Sequence, residues 1–198
     1  MRLPFLAALA ACASLGATGL SGCATVNAAP DTSAMLPVPA FHIDVPGSAA
    51  GAMLARRHAQ AARSCGGDNV SFPLGWSAPP SGTRSLALSV YDPDGRQGAG
   101  VVHWLRYGIR PDIRAIGEGQ GTEAGLPGVG GRNTAAANDL YAGPCPPIGE
   151  TAHHYVVQLF ALDLAPDALP PSLTREAFLA ASRGHVLGYT SIVLRYAR

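Results

Sequence analysis

A proline-dense segment that runs into a strand-like segment constrains the fold of this 198-residue chain more than any other feature. Residues 141–149 contain three prolines, each of which fixes φ at about −65° and removes a backbone donor, so they form a rigid loop outside any central strand. Residues 153–160 then alternate with the period of a strand, which places His153 and Tyr155 on one face and His154 on the other. An imidazole and a phenol beside a rigid loop indicate a pocket wall. The alternative is a histidine satisfied at a sheet edge.

The first 22 residues have the pattern of an export signal. Arg2 precedes an apolar run over residues 3–20, as in the charged and apolar regions of a signal peptide. The sequence Leu-Ser-Gly-Cys at residues 20–23 then resembles a lipobox, which predicts cleavage before Cys23 and lipidation of that cysteine. The alternatives are an ordinary signal peptide cleaved near Ala28 and a transmembrane helix, which the interrupting proline and glycines disfavour.

Residues 23–40 are predicted to be a lipidated cysteine followed by a flexible tether, because they are rich in small polar residues and proline and show no helix face. Residues 41–198 have the size of one domain. Ala24 is not the aspartate that usually marks retention in the inner membrane. The resemblance to lipoproteins therefore implies an exported, membrane-anchored protein that faces the periplasm, with the outer membrane favoured over the inner one.

Charge and cysteine content exclude or favour several classes of function. The chain has 14 basic and 13 acidic residues and no basic patch, so nucleic-acid binding is not expected. Apart from Cys12 in the signal and Cys23, two cysteines remain, Cys65 and Cys145. In an exported chain they most simply form a disulfide. Metal ligation is the weaker alternative, because neither cysteine lies in a paired-cysteine motif.

Alternating apolar residues predict several strands. The strongest patterns fall in residues 85–91, 101–109, 153–163 and 189–196, and a short strand is predicted at 41–45. Strict alternation in the second of these places His103 on the same face as Leu105 and Tyr107.

Helical signals are fewer. Thr174 is a suitable N-cap for a helix over residues 175–187. Local propensity also favours a helix in the alanine-rich residues 48–63, although Gly51 and the missing apolar stripe argue against it. The glycine-rich residues 111–139 contain no convincing element and are predicted to be a long loop.

A set of short motifs occurs in a recognisable order: Cys-Gly-Gly-Asp-Asn at 65–69, the segment 71–76, Asp-Pro-Asp at 92–94, His-Trp at 103–104, the loop at 141–147 and the strand from His153. Together they resemble the phosphatidylethanolamine-binding protein family, in its bacterial Raf-kinase-inhibitor-like branch. The resemblance covers roughly residue 41 to the C-terminus. It implies a mainly β fold, a β-sandwich of one large and one small antiparallel sheet with peripheral helices.

The resemblance also implies a small anion-accepting pocket. Two imidazoles and a phenol can donate hydrogen bonds to phosphate or carboxylate oxygens, and a neighbouring carboxylate can orient a histidine and raise its proton affinity. By resemblance, the residues that line this pocket are Asp92, His103, Pro146, Pro147, His153 and Tyr155.

Two positions depart from the family pattern. Gly95 and Arg96 stand where the family usually has a short residue and a proline, and His154 replaces the usual arginine. The second change removes a fixed positive charge near the expected pocket.

The expected function is therefore non-enzymatic binding of a small anionic ligand, such as a phospholipid headgroup, by a membrane-anchored protein, with no cofactor or metal. A hydrolase lacks a Gly-x-Ser-x-Gly motif, and a Cys145 nucleophile requires a free thiol. A metal site is disfavoured because His153 and His154 point to opposite faces of a strand. The main alternative is a protein-interaction or inhibitor module with a vestigial pocket. The sequence does not identify a protein partner.

Overall fold

The computed structural model describes residues 41–62 and 64–198, so the predicted signal peptide, Cys23 and the tether lie outside the described residues. The described residues form eight strands, one α-helix and two short 3₁₀ helices, at Arg56–His58 and Gln120–Thr122. The helix α1 spans Arg175–Ala181. The strands are β1 (Ile43–Asp44), β2 (Leu74–Trp76), β3 (Ser85–Asp92), β4 (Val101–Ile109), β5 (Ala115–Ile116), β6 (Val129–Gly130), β7 (His153–Leu162) and β8 (Val186–Tyr196).

The strands form two antiparallel sheets. The small sheet has the order β1-β2-β5, and the large sheet has the order β6-β4-β3-β7-β8. The predicted fold, mainly β with one large and one small antiparallel sheet, is confirmed. In the described residues no helix is long and apolar enough to cross a membrane.

Two apolar clusters hold the sheets in place. The first, between the two sheets, includes Leu74 and Ile116 from the small sheet with Trp104 and Tyr155 from the large one. The second lies between the large sheet and α1 and is centred on Phe178, whose ring is stacked on Tyr107 at 5.6 Å and is completely buried. Burial of such a side chain contributes about 2–3 kcal/mol.

The predicted helix at the C-terminal side is present but shorter than expected. The Thr174 hydroxyl accepts a hydrogen bond from the Ala177 amide, as an N-cap does, and the helix ends at Ala181. Gly184 has φ +82°, and β8 begins at Val186. Pairing with β7 therefore takes residues that local propensity assigns to the helix.

The helix favoured by propensity in residues 48–63 is wrong for the described part of that segment, whose only helical turn is the 3₁₀ turn at Arg56–His58. Its backbone bonds instead to the edge of β8, where the Gly51 and Leu54 amides donate to the Val193 and Arg195 carbonyls. These tertiary hydrogen bonds override the helical preference of alanine. In the same way, the loop expected at residues 111–139 contains short pieces of both sheets.

A β-bulge sets the position of His103. Along the β3–β4 pair Val90 faces Trp104, whereas the next residue, Tyr91, faces Val102. His103 is therefore the extra residue of β4. A bulge of this kind bends the strand and changes the direction of the side chain it carries.

The bulge overturns the face predicted for His103. Leu105 and Tyr107 pack in the second cluster, on the α1 side of the large sheet. The ring of His103 instead contacts Tyr155 edge-on, with ring centroids 5.2 Å apart, and Tyr155 belongs to the first cluster. Strict alternation fails here because it assumes an uninterrupted register.

A disulfide joins Cys65 to Cys145, with Cα atoms 5.2 Å apart. It ties the proline-dense loop at 141–149 to a turn that lies 80 residues earlier in the chain. The bond therefore closes a loop of 80 residues.

Reduction of this disulfide is expected to lower the thermal stability of the protein. A closed loop of 80 residues corresponds to about 4 kcal/mol in the chain-entropy model of disulfide stabilisation. Calorimetry with and without dithiothreitol measures the change in melting temperature, and a double variant, Cys65→Ala with Cys145→Ala, is the control that dithiothreitol should not affect. An unchanged melting temperature on complete reduction contradicts this expectation.

Candidate functional site

A cavity of about 320 Å³ opens where β3 ends and β7 begins. Five of the six residues predicted to form a pocket line it: Asp92, His103, Pro146, Pro147 and His153. Other lining residues include Gln60, Arg96, Thr134 and Cys145. Tyr155, the sixth predicted residue, lies behind His103 and is not among those lining the cavity.

The buried carboxylate of Asp92 organises the cavity and is only 3% exposed. One oxygen, Oδ1, accepts hydrogen bonds from the Asp94 and Gly95 amides at 2.9 and 3.0 Å, which fixes the turn after β3. The other oxygen, Oδ2, accepts a 2.8 Å hydrogen bond from Nδ1 of His153. A single side chain thus fixes a turn and orients a histidine.

His153 is held as an imidazolium. Its Nδ1 donates to Asp92 and its Nε2 donates to Oε2 of Glu150 at 3.0 Å. An imidazole that donates from both nitrogens carries both protons. Burial lowers the pKa of His153, but the hydrogen bonds to Asp92 and Glu150 outweigh that effect and raise the pKa above its ordinary value.

His103 is held in the opposite state. Its Nδ1 donates to the Ala142 carbonyl at 2.7 Å, and burial lowers its pKa more than this hydrogen bond and nearby Asp92 raise it. The neutral ring therefore carries its proton on Nδ1 and a lone pair on Nε2. That Nε2 lies 4.0 Å from Oδ2 of Asp92, so two hydrogen-bond acceptors face each other without a bond between them.

Tyr155 lies beneath this pair of acceptors. Its side chain is 1% exposed, and its hydroxyl has no hydrogen-bond partner in the described residues. Burial is the largest cause that raises its pKa, and Asp92 adds to the effect, so the phenol keeps its proton. A buried O–H without a partner is a strong donor for any oxygen that can reach it.

The loop that carries Pro146 is fixed from several sides. The Gly143 amide donates to Oδ1 of Asn69 at 2.8 Å, and a Cβ at Gly143 would collide with the backbone of His58. The disulfide holds Cys145, and Arg198 donates through Nε to the Pro146 carbonyl at 2.5 Å. The cavity wall is therefore pre-formed.

Sequence reasoning missed three polar residues around the cavity. Asn133, which is 9% exposed, donates to the carbonyls of His103 and Leu140 and so stabilises the bulge. Thr134 lines the cavity, and its hydroxyl oxygen accepts the Val102 amide at 2.7 Å. Both asparagine and threonine fall in the stretch predicted to be a loop, where no periodic pattern marks them.

The third missed residue is Arg96. Its Nη2 donates to the Thr134 carbonyl at 2.7 Å, so the guanidinium bridges the cavity rim. Arg96 and the next residue, Gln97, have φ values of +52° and +58°, which lie in the left-handed region. Proline cannot adopt this conformation, and the departure from the family pattern at this position is therefore structural as well as electrostatic.

His154 lies outside the cavity, as its strand position predicts. Its side chain is half exposed and bonds to Asp94 through Nδ1 at 2.9 Å. Within residues 41–62 and 64–198, no three His, Cys, Asp or Glu residues form a group that could hold a metal ion.

The fold and the cavity define the class of protein: a β-sandwich with a small pocket built on a buried aspartate and two histidines. The model of the phosphatidylethanolamine-binding protein family matches residues 46–197 of this chain. The chain belongs to that family.

Curated relatives and solved structures agree with this assignment. A UPF0098 protein of Methanothermobacter thermautotrophicus is 38% identical over 137 residues, which cover 68% of this chain and 87% of that protein. LppC of Mycobacterium tuberculosis, whose name describes it as a candidate lipoprotein, is 43% identical over 113 residues, or 56% of this chain and 52% of LppC. The crystal structure of Escherichia coli YbcL, described as a new member of the mammalian family, has a TM-score of 0.73 at 28% identity and covers 80% of this chain and 98% of YbcL.

Loss of His153 is expected to destabilise the fold most at low pH. Because its pKa is raised in the folded protein, its stabilisation is complete below the ordinary value of 6.5 and is lost as the pH rises through the folded pKa. Removal of one partner of a buried ion pair costs about 3 kcal/mol, so His153→Ala should lose that much at pH 5.5 and less at pH 9.

Urea unfolding of wild-type and variant proteins across this pH range measures the difference in unfolding free energy. His154→Ala, at the adjacent exposed position, is the matched control. A loss for His153→Ala that grows with pH contradicts the imidazolium state.

Proposed function

We propose that this protein binds a small anionic, phosphate- or carboxylate-bearing ligand in the cavity between Asp92, His103 and His153. The observation that carries the proposal is the pre-formed cavity of about 320 Å³, which is lined by both the imidazolium of His153 and the guanidinium of Arg96. Each of these groups donates hydrogen bonds to oxygen.

Arg96 supports the anionic character of the ligand. Its guanidinium has five N–H donors, of which one bonds to the Thr134 carbonyl. The others can contact an oxygen in the cavity. This arginine supplies a positive charge at the cavity rim, whereas His154 lies outside the cavity and pairs with Asp94.

His153 supplies the second positive charge. Its Nε2 proton is bonded to the carboxylate of Glu150, which is an exposed residue. An incoming carboxylate or phosphate can replace Glu150 on this donor with little change in chemistry. The carboxylate of Glu150 thus occupies the position on Nε2 that we propose for the carboxylate or phosphate of the ligand.

We further propose that the protein binds and does not catalyse. A hydrolase would use the thiol of Cys145 as its nucleophile, but Cys145 forms the disulfide with Cys65. The nearly buried carboxylate of Asp92 already has three hydrogen bonds, two from amides and one from His153, which suits an orienting role.

The same proposal includes export and anchoring through Cys23. The lipobox-like sequence at residues 20–23 supports it, and so does the name of the relative LppC, which describes a candidate lipoprotein. The 43% identity of the two proteins over 113 residues supports a common anchoring mode. We propose that the anchored protein faces the periplasm.

Loss of either cavity histidine is expected to weaken binding of inorganic phosphate. His103→Ala and His153→Ala should each cost about 1–3 kcal/mol, the range for a hydrogen bond to a charged group. Isothermal titration calorimetry with inorganic phosphate measures the loss. His154→Ala is the control and should bind as the wild type does, because its side chain faces away from the cavity.

A stronger effect at His154 than at the other two histidines contradicts the assignment of the site. A folded wild-type protein that binds neither phosphate nor acetate contradicts the anion-binding proposal. That result favours a protein-interaction module with a vestigial pocket.

Substitution of Cys23 is expected to release the protein from the membrane. Without this thiol no lipid can be attached, and a lipid anchor contributes about 0.8 kcal/mol for each methylene that it buries. Fractionation of cells that express Cys23→Ser should therefore find the protein in the soluble fraction. An unchanged membrane fraction contradicts lipidation at this residue, and Cys12→Ser is the matched control.

A further inference from the structure

Two hydrogen-bond acceptors that face each other in the cavity indicate that a bound anion needs a proton at this point. Nε2 of His103 and Oδ2 of Asp92 lie 4.0 Å apart, and both are nearly buried. With Nδ1 of His103 bonded to the Ala142 carbonyl, the neutral ring offers only a lone pair at Nε2. Between these two atoms, a ligand oxygen that has lost its protons meets two acceptors.

We propose that the cavity takes up its anion together with one proton, which lies between a ligand oxygen, His103 Nε2 and Asp92. This inference rests on the proposed anion-binding function. The proton comes either from the ligand, as in a singly ionised phosphate monoester, or from solvent, in which case His103 becomes an imidazolium. In the second case an N–H bond forms at Nε2 and a solvent or buffer species gives up the proton; in neither case does a bond between heavy atoms change.

The other groups around His103 cannot accept this proton. On β7, His153 already carries both of its ring protons, and Tyr155 keeps its phenolic one. In the turn after β3, Arg96 is a permanent cation. Of the groups around the ring, only His103 and Asp92 remain to share a proton with the ligand.

Electrostatics favours the same uptake. Asp92 is a buried anion, and a second anion placed beside it without a proton is repelled in a site of low dielectric constant. The bound proton removes this repulsion and converts a contact between two acceptors into a charge-assisted hydrogen bond. Burial, which keeps His103 neutral in the empty site, therefore makes the proton a condition of binding.

Two probes distinguish the source of the proton. Monomethyl phosphate loses its second proton with a pKa of about 6, whereas dimethyl phosphate has no proton to lose near neutral pH. The full chain, in a neutral detergent, is titrated with each probe by calorimetry at pH 7.5 in two buffers of different ionisation enthalpy. The difference in heat gives the number of protons taken up.

Uptake of about one proton is expected with each probe at pH 7.5, and uptake with monomethyl phosphate should fall towards zero at pH 5.5, where that ligand carries its own proton. The affinity for dimethyl phosphate should weaken by about tenfold per pH unit above neutrality. His103→Gln keeps a donor near the position of Nε2 without needing a proton, so dimethyl phosphate should bind to it with no uptake. His154→Gln is the matched control and should behave as the wild type.

Binding of dimethyl phosphate to the wild type with no proton uptake at pH 7.5 overturns the inference and leaves the proposed anion-binding function intact. Failure of both probes to bind at any pH contradicts both. The wild-type measurement decides between these outcomes even if the His103→Gln variant does not fold.

Discussion

The hydrogen bonds of one buried carboxylate, Asp92, determine the chemistry of the cavity. Its Oδ1 fixes the turn after β3, and the same turn places Arg96 on the cavity rim. Its Oδ2 holds His153 as an imidazolium and lies 4.0 Å from His103. Two histidines that each have a ring nitrogen within 4.0 Å of the same carboxylate oxygen are thus kept in different protonation states. A charge that is buried and paired in this way is costly to disturb, because removal of one partner leaves the other unsatisfied.

Local sequence patterns predict most of the strands, whereas the set of cavity residues follows from the resemblance to the family. Alternation identified β3, β4, β7 and β8, and it placed His153 and His154 on opposite faces because β7 pairs with β8 in an uninterrupted register from His153 to Ala161. The prediction for His103 failed because a bulge depends on the pairing of two distant strands and leaves no mark in local periodicity. The helix favoured in residues 48–62 failed for a related reason, since hydrogen bonds to the edge of β8 decide that conformation.

The residues that sequence reasoning missed share a physical feature. Asn133 and Thr134 use side chains to bond to backbone carbonyls or amides of β4, at least 30 residues earlier in the chain. Such contacts follow from tertiary geometry and have no periodic signature. Arg96 is a different case: it was noted as a departure from the family pattern, but its position on the cavity rim depends on two successive left-handed residues. Membership of the family thus predicts most of the residues that line the cavity, and Arg96 of this chain adds a positive charge at the rim.

The most direct test of this account is the protonation state of the cavity histidines, observed by ¹⁵N NMR of the ring nitrogens at pH 7 during titration with dimethyl phosphate, which brings no proton of its own. The account predicts that His153 shows two protonated nitrogens throughout, and that free His103 shows a proton on Nδ1 only. Added dimethyl phosphate should move the Nε2 resonance of His103 towards the protonated value, while His42, His58, His154 and His185 stay unchanged. A neutral His153, or a His103 that does not respond to bound dimethyl phosphate, contradicts the account.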